Sequence, residues 1–395
     1  MTHSTTLIDF RSVALALTLG ALVVGCSGES PDAIWEGAKQ AFQARDFPRA
    51  EAAMARLDKL RAPTTEDSMM RAQIAIAKND VDAALVKLAL VPDDHPMAPA
   101  ARLEQGQLEL RRHRARYAAR AFREAIRLDP KLIPAHRELI YILGMQLRRT
   151  ELAEEFRQLS ELQPLNFDQV FVWCLTRRSV WEPIEITGEM AKYVAADPED
   201  RESRLALADG LRKLNRLDEA DEALKPLSND DPEARTARVQ LALDRGNMAE
   251  AEELLSGGPR KNLGLDLLRG RFAMARGDVK AAVAAYRDAV AAEANNRDAV
   301  FGLAHSLQRL GDPEAKRYLE DSLRLERLEA LVQRAVLSSS KKNIPLIRDL
   351  GAACADVGRY PEARAWYQIA IAADPLDTEA QQALFKLKDA KPPTS

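Results

Sequence analysis

Residues 347–375 read IRDLGAACADVGRYPEARAWYQIAIAADP, a stretch with two apolar stripes and a turn between them. The first stripe has the three- and four-residue spacing of one helix face and consists of Ile347, Leu350, Gly351 and Cys354. Gly358 ends this helix, and a second helical stripe follows with Ala363, Tyr367 and Ala370. The small residues Gly351 and Ala363 let the two helices approach closely, and Tyr367 fills the space towards the next pair. The stretch therefore predicts a helical hairpin.

The composition agrees with a helical body. Of the 395 residues, 46% are apolar, 30% are charged and 5% are aromatic. This balance favours a folded chain over a disordered one and argues against an aromatic-rich β-sandwich or barrel. The net charge of −3 shows no basic excess of the kind that nucleic-acid binders carry. We therefore expect a helical protein without a nucleic-acid partner.

Five prolines recur at one spacing. Pro96, Pro130, Pro164, Pro198 and Pro232 follow each other at intervals of 34 residues. Because proline cannot continue a helix, each of them marks a stop between two helices. The period indicates one long array of repeats.

The hairpin and its period together resemble the tetratricopeptide repeat, a 34-residue helix–turn–helix with a small–small contact, a bulky wedge and a terminal proline. The same pattern recurs with Gly106, Ala118, Phe122, Ala125 and Pro130, and again with Gly270, Gly277, Ala282, Tyr286 and Ala289. It covers nearly the whole chain after the N-terminal segment, in about ten units. The resemblance implies an all-α, right-handed superhelical solenoid whose first helices line a concave face.

The repeats vary in regularity along the chain. The segments are an N-terminal array at 31–234, a short degenerate repeat at 235–262, a repeat pair at 263–327, an irregular helix and polar linker at 328–343, and a C-terminal repeat with a capping helix at 344–395. Trp173 and Cys174 stand where the repeat usually has a Leu–Gly pair. We expect the superhelix to bend there and at 328–343.

The N-terminal segment has the features of a secretion signal. Residues 13–24 form an apolar run of about twelve residues, too short to span a bilayer and of the length of a signal-peptide core. The following VVGC resembles the lipobox of bacterial lipoproteins. That resemblance implies a signal peptide at 1–25, an acylated Cys26 with a short tether at 26–30, and an anchored chain in the bacterial envelope, on the periplasmic face of the outer membrane. A nearby cleavage that leaves Cys26 free is the alternative.

No sequence motif indicates catalysis, metal binding or a cofactor. The five histidines have no ligand spacing, the cysteines form no CxxC, and no glycine-rich phosphate loop occurs. SSSK at 338–341 matches the S-x-x-K of acyl-serine enzymes, but neither SDN nor KTG accompanies it, so a polar linker is the better interpretation. We predict a protein that is not an enzyme and holds no metal or cofactor.

Cys174 and Cys354 fall on the packing faces of first helices, where small buried side chains are expected. They lie about five repeats apart, and the repeats of a solenoid contact only their neighbours. A disulfide needs Cα atoms within about 7 Å of each other. We therefore predict two separate thiols that are buried and free.

A binding surface is expected on the concave face, where tetratricopeptide proteins usually hold an extended peptide or a partner helix. The pattern places on this groove a set rich in aromatic residues and arginine, a composition typical of binding hot spots: Leu103, Gln107, Arg137, Tyr141, Phe171, Leu175, Asp209, Arg212, Arg271, Phe301, His305 and Arg348. Several of these residues, Phe171 and Leu175 above all, can instead fill gaps between helices. RRHRAR at 111–116 is either a solvated helix end or a docking patch for an anionic partner or lipid headgroup.

Three functional hypotheses follow. The first is a lipid-anchored scaffold whose groove binds protein or peptide partners and organises an envelope complex for secretion, assembly or export. The second is a periplasmic module that binds a solute or glycan, for which Tyr141 and Phe171 are the candidate stacking aromatics. The third is an accessory subunit of an envelope enzyme.

Overall fold

The computed structural model of the protein describes residues 30–175 and 181–388. Over these residues the chain forms α-helices, one 3₁₀ helix and no β-strand, so the predicted all-α solenoid of helix–turn–helix repeats is confirmed. The chain divides into two compact units, Met1–Ala84 and Leu85–Ser395. Cys26 and the signal peptide expected at 1–25 lie outside the described residues.

The first unit contains the helices α1 (Pro31–Gln43), α2 (Phe47–Leu57), α3 (Thr65–Ala77) and the start of α4 (Val81–Ala89). Its core consists of small and aliphatic side chains, among them Ile34, Ala38, Ala50, Met54 and Ile74. Alanine at the contact points lets the paired helices approach closely, and the larger side chains fill the space between pairs.

A buried carboxylate closes the start of α3. Asp67 is 1% exposed, and its two oxygens accept hydrogen bonds from the Arg61 guanidinium and, at 2.9 Å, from the backbone N–H of Thr64. Burial alone would raise the pKa of Asp67, but the hydrogen bonds from Arg61 and Thr64 outweigh it and hold the pKa below its ordinary value. The ionised carboxylate therefore stabilises the first unit.

The second unit contains the remaining helices, most of which pack against the next helix along the chain. They are α5 (Ala98–Arg111), α6 (Ala115–Leu128), α7 (Ile133–Met145), α8 (Arg149–Leu162), α9 (Phe167–Cys174), α10 (Pro183–Ala196), α11 (Arg201–Lys213), α12 (Leu217–Leu224), α13 (Pro232–Asp244), α14 (Met248–Ser256), α15 (Leu263–Ala275), α16 (Val279–Ala292), α17 (Arg297–Leu310), α18 (Ala315–Ala335), α19 (Ile344–Asp356), α20 (Tyr360–Ala373) and α21 (Thr378–Lys386). The 3₁₀ helix Ser338–Lys342 lies between α18 and α19.

The chain makes its turns with the residue types that helix ends require. The side chains of Asp278 and Asn296 cap α16 and α17. Each accepts a hydrogen bond from the backbone N–H three residues later in the chain, at 3.0 and 3.1 Å. Gly277 and Gly358 have φ values of 79° and 74°, the left-handed region that a turn after a helix needs and that glycine adopts without strain. These local signals set the hairpin period.

Aromatic wedges fill the gaps that glycine leaves, as the repeat pattern predicts. A Cβ atom on Gly351 would come within 2.8 Å of the Tyr367 ring, and one on Gly106 would overlap the Phe122 ring. Phe122 is fully buried and Tyr367 is 6% exposed. Each aromatic ring therefore fits only because the glycine opposite it has no side chain. This contact couples the first helix of a pair to the second.

One buried histidine has an acceptor at each of its two ring nitrogens. The Nδ1 atom of His136 faces the carboxylate of Glu155, and its Nε2 atom lies 3.0 Å from the carbonyl oxygen of Pro130. Burial alone would lower the pKa of His136, but the hydrogen bonds to Glu155 and Pro130 outweigh it and raise the pKa. Because both ring nitrogens face acceptors, only the imidazolium can donate to both.

The second unit folds back on itself, so that α20 packs against α8 and α9. The sulfur atoms of Cys174 and Cys354 are 3.9 Å apart, and the indole N–H of Trp366 donates to the Cys174 sulfur at 3.1 Å. Both cysteines are buried and free, but the prediction that they lie out of each other's reach is wrong. The neighbour-only rule for solenoid repeats fails here because distant repeats meet face to face.

Candidate functional site

A surface cleft lies in the repeat formed by α15 and α16 and in the first helix of the next repeat, α17. Its floor is the Tyr286 ring on α16, wedged between Gly270 on α15 and Gly302 on α17. Burial raises the pKa of Tyr286, so the phenol stays neutral and adds no charge to the floor. The two glycines make room for the ring, because a Cβ atom on either of them would collide with it.

The cleft has a volume of about 420 Å³. Its walls carry side chains from α15 and α17, and the full lining is Arg271, Met274, Tyr286, Arg297, Asp298, Phe301, Gly302 and His305. The Phe301 side chain is 51% exposed and lies parallel to the His305 ring, with the ring centroids 6.3 Å apart. An aromatic ring that faces solvent in a concave site offers apolar area to a ligand.

The cations of the cleft already have acidic partners. Arg271 donates to Asp298 at 2.8 Å, and Arg297 lies 3.1 Å from Glu329. The cleft therefore presents paired charges around an aromatic centre and no strong field of either sign. Its chemistry suits an apolar side chain flanked by hydrogen-bonding groups.

Three of the residues that the sequence places on the groove, Arg271, Phe301 and His305, meet in this cleft. The other lining residues were not singled out as groove residues. Asp298 shares a helix face with Phe301 and His305 by its spacing of three and seven residues, which is the signal that could have found it. Arg297, four residues before Phe301, and Met274, three residues after Arg271, carry the same signal.

The other polar groove candidates bind side chains on or just before the first helix of the next repeat. Arg271 in the cleft makes the same kind of contact. The five side-chain hydrogen bonds are 2.8–3.4 Å long and join Gln107 to Glu138, Arg137 to Gln163, Arg212 to Asp244, Arg271 to Asp298 and Arg348 to Asp377. Asp209 binds Arg212 at 3.3 Å within α11. Each of the five contacts between different helices ties two neighbouring repeats together, so these side chains are not free to meet a ligand without a competing partner.

The apolar groove candidates outside the cleft pack within the protein. Leu103 is 4% exposed and belongs to the core, because its position on α5 turns it towards the neighbouring helices. Phe171 stacks on Phe167 with centroids 6.2 Å apart, and Leu175 packs against the same core.

Tyr141 is bonded to Tyr193, and burial raises the pKa of Tyr141. Tyr141 and Phe171, the aromatic pair expected for glycan stacking, therefore each engage a different neighbour.

The basic run at 111–116 is partly neutralised. Arg116 lies 2.9 Å from Asp197 and Arg114 lies 3.4 Å from Glu109. Both guanidinium groups also stack over the Tyr117 ring, at 5.0 and 4.2 Å from its centroid. These contacts favour the solvated helix end over a docking patch.

The described residues contain neither a metal site nor a helix that could span a membrane. No group of three or more His, Cys, Asp or Glu side chains within 30–175 and 181–388 could hold a metal ion. None of the helices described over the same ranges is long and apolar enough to cross a membrane.

Known proteins resemble this chain in its repeats. A family model described as tetratricopeptide repeat matches residues 191–260, and no curated protein matches the chain. A tetratricopeptide repeat protein from Parabacteroides merdae is similar at 15% identity, over 62% of this chain and 98% of that one, with a TM-score of 0.32.

The Cut9–Hcn1 hetero-tetramer of APC/C is similar at 12% identity, over 91% of this chain and 90% of that one, with a TM-score of 0.37. Yeast Tom70 is similar at 14% identity, over 91% of this chain and 88% of that one, with a TM-score of 0.31. The match of the family model, together with the helical hairpins, shows that the chain contains tetratricopeptide repeats at residues 191–260.

Proposed function

We propose that this chain is a non-enzymatic scaffold that binds a segment of a partner protein in the cleft between α15 and α17. The observation that carries the proposal is the half-exposed Phe301 ring on the wall of a cleft of about 420 Å³. Binding hot spots are typically aromatic or arginine side chains in a concave site, surrounded by polar groups that exclude water. The cleft combines Phe301 with Arg271 and Arg297 in this way.

The charges of the cleft limit what its ligand can be. Since Arg271 and Arg297 are paired with Asp298 and Glu329, a strongly anionic ligand would have to displace an existing partner. An apolar side chain can instead cover Phe301 and Met274 without breaking an ion pair. We therefore propose that the partner inserts an aliphatic or aromatic side chain over Phe301, and that the paired arginines bind the polar groups beside it.

We also propose that the scaffold is anchored to the membrane of a bacterial envelope and serves a complex there. The support is the sequence alone: the short apolar run at 13–24 and the VVGC that ends at Cys26. Two or more acyl chains would anchor the chain stably, since each buried CH₂ contributes about 0.8 kcal/mol. Cys26→Ala is expected to move the protein from the membrane pellet to the soluble fraction or to leave an uncleaved precursor. An unchanged pellet and a protein without lipid mass would exclude the anchor.

A photo-crosslinking experiment tests the cleft. A benzophenone amino acid replaces Phe301 in one variant and Phe385 in a control, because Phe385 is 78% exposed on α21 and lies outside the cleft. Irradiation in the native host should join a defined protein to position 301 and not to position 385. The purified partner should then bind the Phe301→Ala variant at least about 10-fold more weakly, which corresponds to about 1.4 kcal/mol.

Two outcomes would show that the partner does not bind in the cleft. If position 301 yields the same products as position 385, or if Phe301→Ala leaves the affinity of the purified partner unchanged, the binding surface lies elsewhere. Circular dichroism of both variants controls for folding, and exposed positions such as these should leave helicity unchanged.

A further inference from the structure

Two thiols that are far apart in the sequence face each other in the interior of the second unit. The sulfur atoms of Cys174 and Cys354 are 3.9 Å apart, although the residues are separated by 180 positions. Their side chains are 6% and 0% exposed. Cys174 is the last residue of α9, and Cys354 lies near the end of α19.

Contacts that involve no sulfur hold this pair in place. The Phe167 ring on α9 meets the edge of Trp366 on α20, with centroids 5.2 Å apart. Lys341 binds Asp168 at 2.7 Å, which joins the 3₁₀ helix to the start of α9. Arg359, at the start of α20, reaches the carbonyl oxygen of Trp173 at 3.5 Å. The proximity of the thiols is therefore a property of the interface between α9 and the C-terminal repeat.

We propose that Cys174 and Cys354 form a disulfide that covalently joins α9 to α19 across this interface. The sulfur atoms need to approach by about 2 Å to reach the S–S bond length of about 2.05 Å, a movement within the range of side-chain rotation. The oxidant is a small external disulfide. This inference does not depend on the proposed partner or on the membrane anchor.

The reaction is two successive thiol–disulfide exchanges, for which oxidised glutathione is the probe. The Cys174 thiolate attacks one sulfur of the probe, forms a mixed disulfide and releases one glutathione thiolate. The Cys354 thiolate then attacks the Cys174 sulfur of the mixed disulfide and releases the second glutathione thiolate. The two protons lost by the protein thiols are taken up by the two glutathione thiolates. In sum the protein loses two electrons, and the glutathione disulfide gains them.

The surroundings favour Cys174 as the first nucleophile. The hydrogen bond from the Cys354 thiol lowers the pKa of Cys174, and the nearby Arg359 guanidinium and the Trp366 indole N–H act in the same direction, whereas burial and Glu362 oppose them. The same shared hydrogen bond, together with burial, raises the pKa of Cys354. Cys174 also ends its helix, the place where a helix opens most readily.

Burial of both sulfur atoms controls the rate. Glutathione disulfide cannot reach either thiol until the contact between α9 and α20 opens, so oxidation should be slow in the native protein and faster in urea below the unfolding transition. Once the bond forms, residues 174–354 become a closed covalent loop, and this stretch contains the cleft residues Arg271, Phe301 and His305.

The test uses the full wild-type chain, incubated with oxidised glutathione in urea below its unfolding transition. After an acid quench and alkylation of the remaining thiols, proteolysis without reductant and mass spectrometry identify the products. We expect a linked peptide pair that contains Cys174 and Cys354 and is lighter by two hydrogen atoms than the two thiol peptides together. Oxidation should be several-fold slower without urea.

The Cys354→Ser variant is the matched control, since it keeps the size of the side chain and removes the second thiol. It should stop at the mixed disulfide, with one glutathione on Cys174. If the wild-type cysteines each carry a separate glutathione, or both stay free under the urea condition, the proposal is overturned. Both readings come from the wild-type chain, so they stand even if the variant folds poorly.

Discussion

Replacing Gly302 with alanine should destabilise the second unit, although alanine is the better helix former. In the interior of a helix, alanine is favoured over glycine by about 1 kcal/mol. At position 302, however, a Cβ atom would overlap the Tyr286 ring, and the same ring also packs closely on Gly270, where a Cβ atom would lie only 2.6 Å away. Forcing an extra carbon into a packed site costs about 1–3 kcal/mol. We expect a net loss of about 1 kcal/mol.

Gly188→Ala is the matched control. Gly188 lies in the interior of α10, and a Cβ atom there would meet nothing within 4 Å. Only the helix-propensity gain applies, so this variant should be more stable than the wild type by about 0.5–1 kcal/mol. The same chemical change is thus expected to act in opposite directions at two sites in one unit.

Urea unfolding followed by far-UV circular dichroism measures both effects as shifts of the transition midpoint. A second variant locates the cause: in a Tyr286→Leu background the smaller side chain relieves the overlap, and Gly302→Ala should cost less there than in the wild type. If Gly302→Ala and Gly188→Ala shift the midpoint in the same direction, or if the Tyr286→Leu background changes nothing, the wedge does not limit the packing of this repeat.

Three more predictions concern buried groups. The pKa of His136 is raised on folding, so its contribution to the unfolding free energy is complete below about pH 6.5. That contribution is lost as the pH rises from there through the folded pKa, and the unfolding free energy should fall accordingly. His136→Leu should remove this fall. The pKa of Asp67 is lowered on folding, so its contribution is lost as the pH falls below about 4, and Asp67→Asn, which breaks the pairing with Arg61, should cost about 2 kcal/mol near neutral pH. Closing the 180-residue loop between Cys174 and Cys354 should raise the unfolding free energy by about 5 kcal/mol on the chain-entropy model, measured as the difference between oxidised and reduced protein in urea.

Each of these predictions has an outcome that contradicts it. A pH profile of His136→Leu with the same slope as the wild type would show that the histidine is not held as the imidazolium. An Asp67→Asn variant as stable as the wild type would show that the pair with Arg61 contributes nothing. Equal urea midpoints for oxidised and reduced protein would show that the loop closure is offset by strain.

The hairpins could be predicted because their signals are local. The glycine turns, the proline period and the three- and four-residue apolar spacing each act within one repeat, and the structure places Tyr367 over Gly351 as that spacing requires. Similar side-chain sizes recur at similar positions, so one repeat predicts the packing of the next. The fold class therefore needs no information about distant contacts.

The candidate site could be predicted only in part. Periodicity assigns a face to Arg271, Phe301 and His305, and these three meet in the cleft. The same periodicity cannot tell whether a side chain on that face already has a partner. Arg212 faces Asp244 one repeat away, a pairing that depends on how far each repeat rotates relative to the last.

The contact between Cys174 and Cys354 marks the point where reasoning from neighbouring repeats fails. A small rotation at each junction accumulates along the array, and after about five repeats it decides whether α9 and α20 meet or miss. No single residue encodes the accumulated rotation, but the contacts of Trp366 are its result. The Trp366 side chain packs on Phe167 and donates a hydrogen bond to the Cys174 sulfur. Neither contact would form in a strictly linear array. This closure links the fifth repeat to the last. Each repeat between them is therefore stabilised when the other repeats of this stretch are folded. Their unfolding should therefore be more cooperative than a sum over adjacent pairs allows.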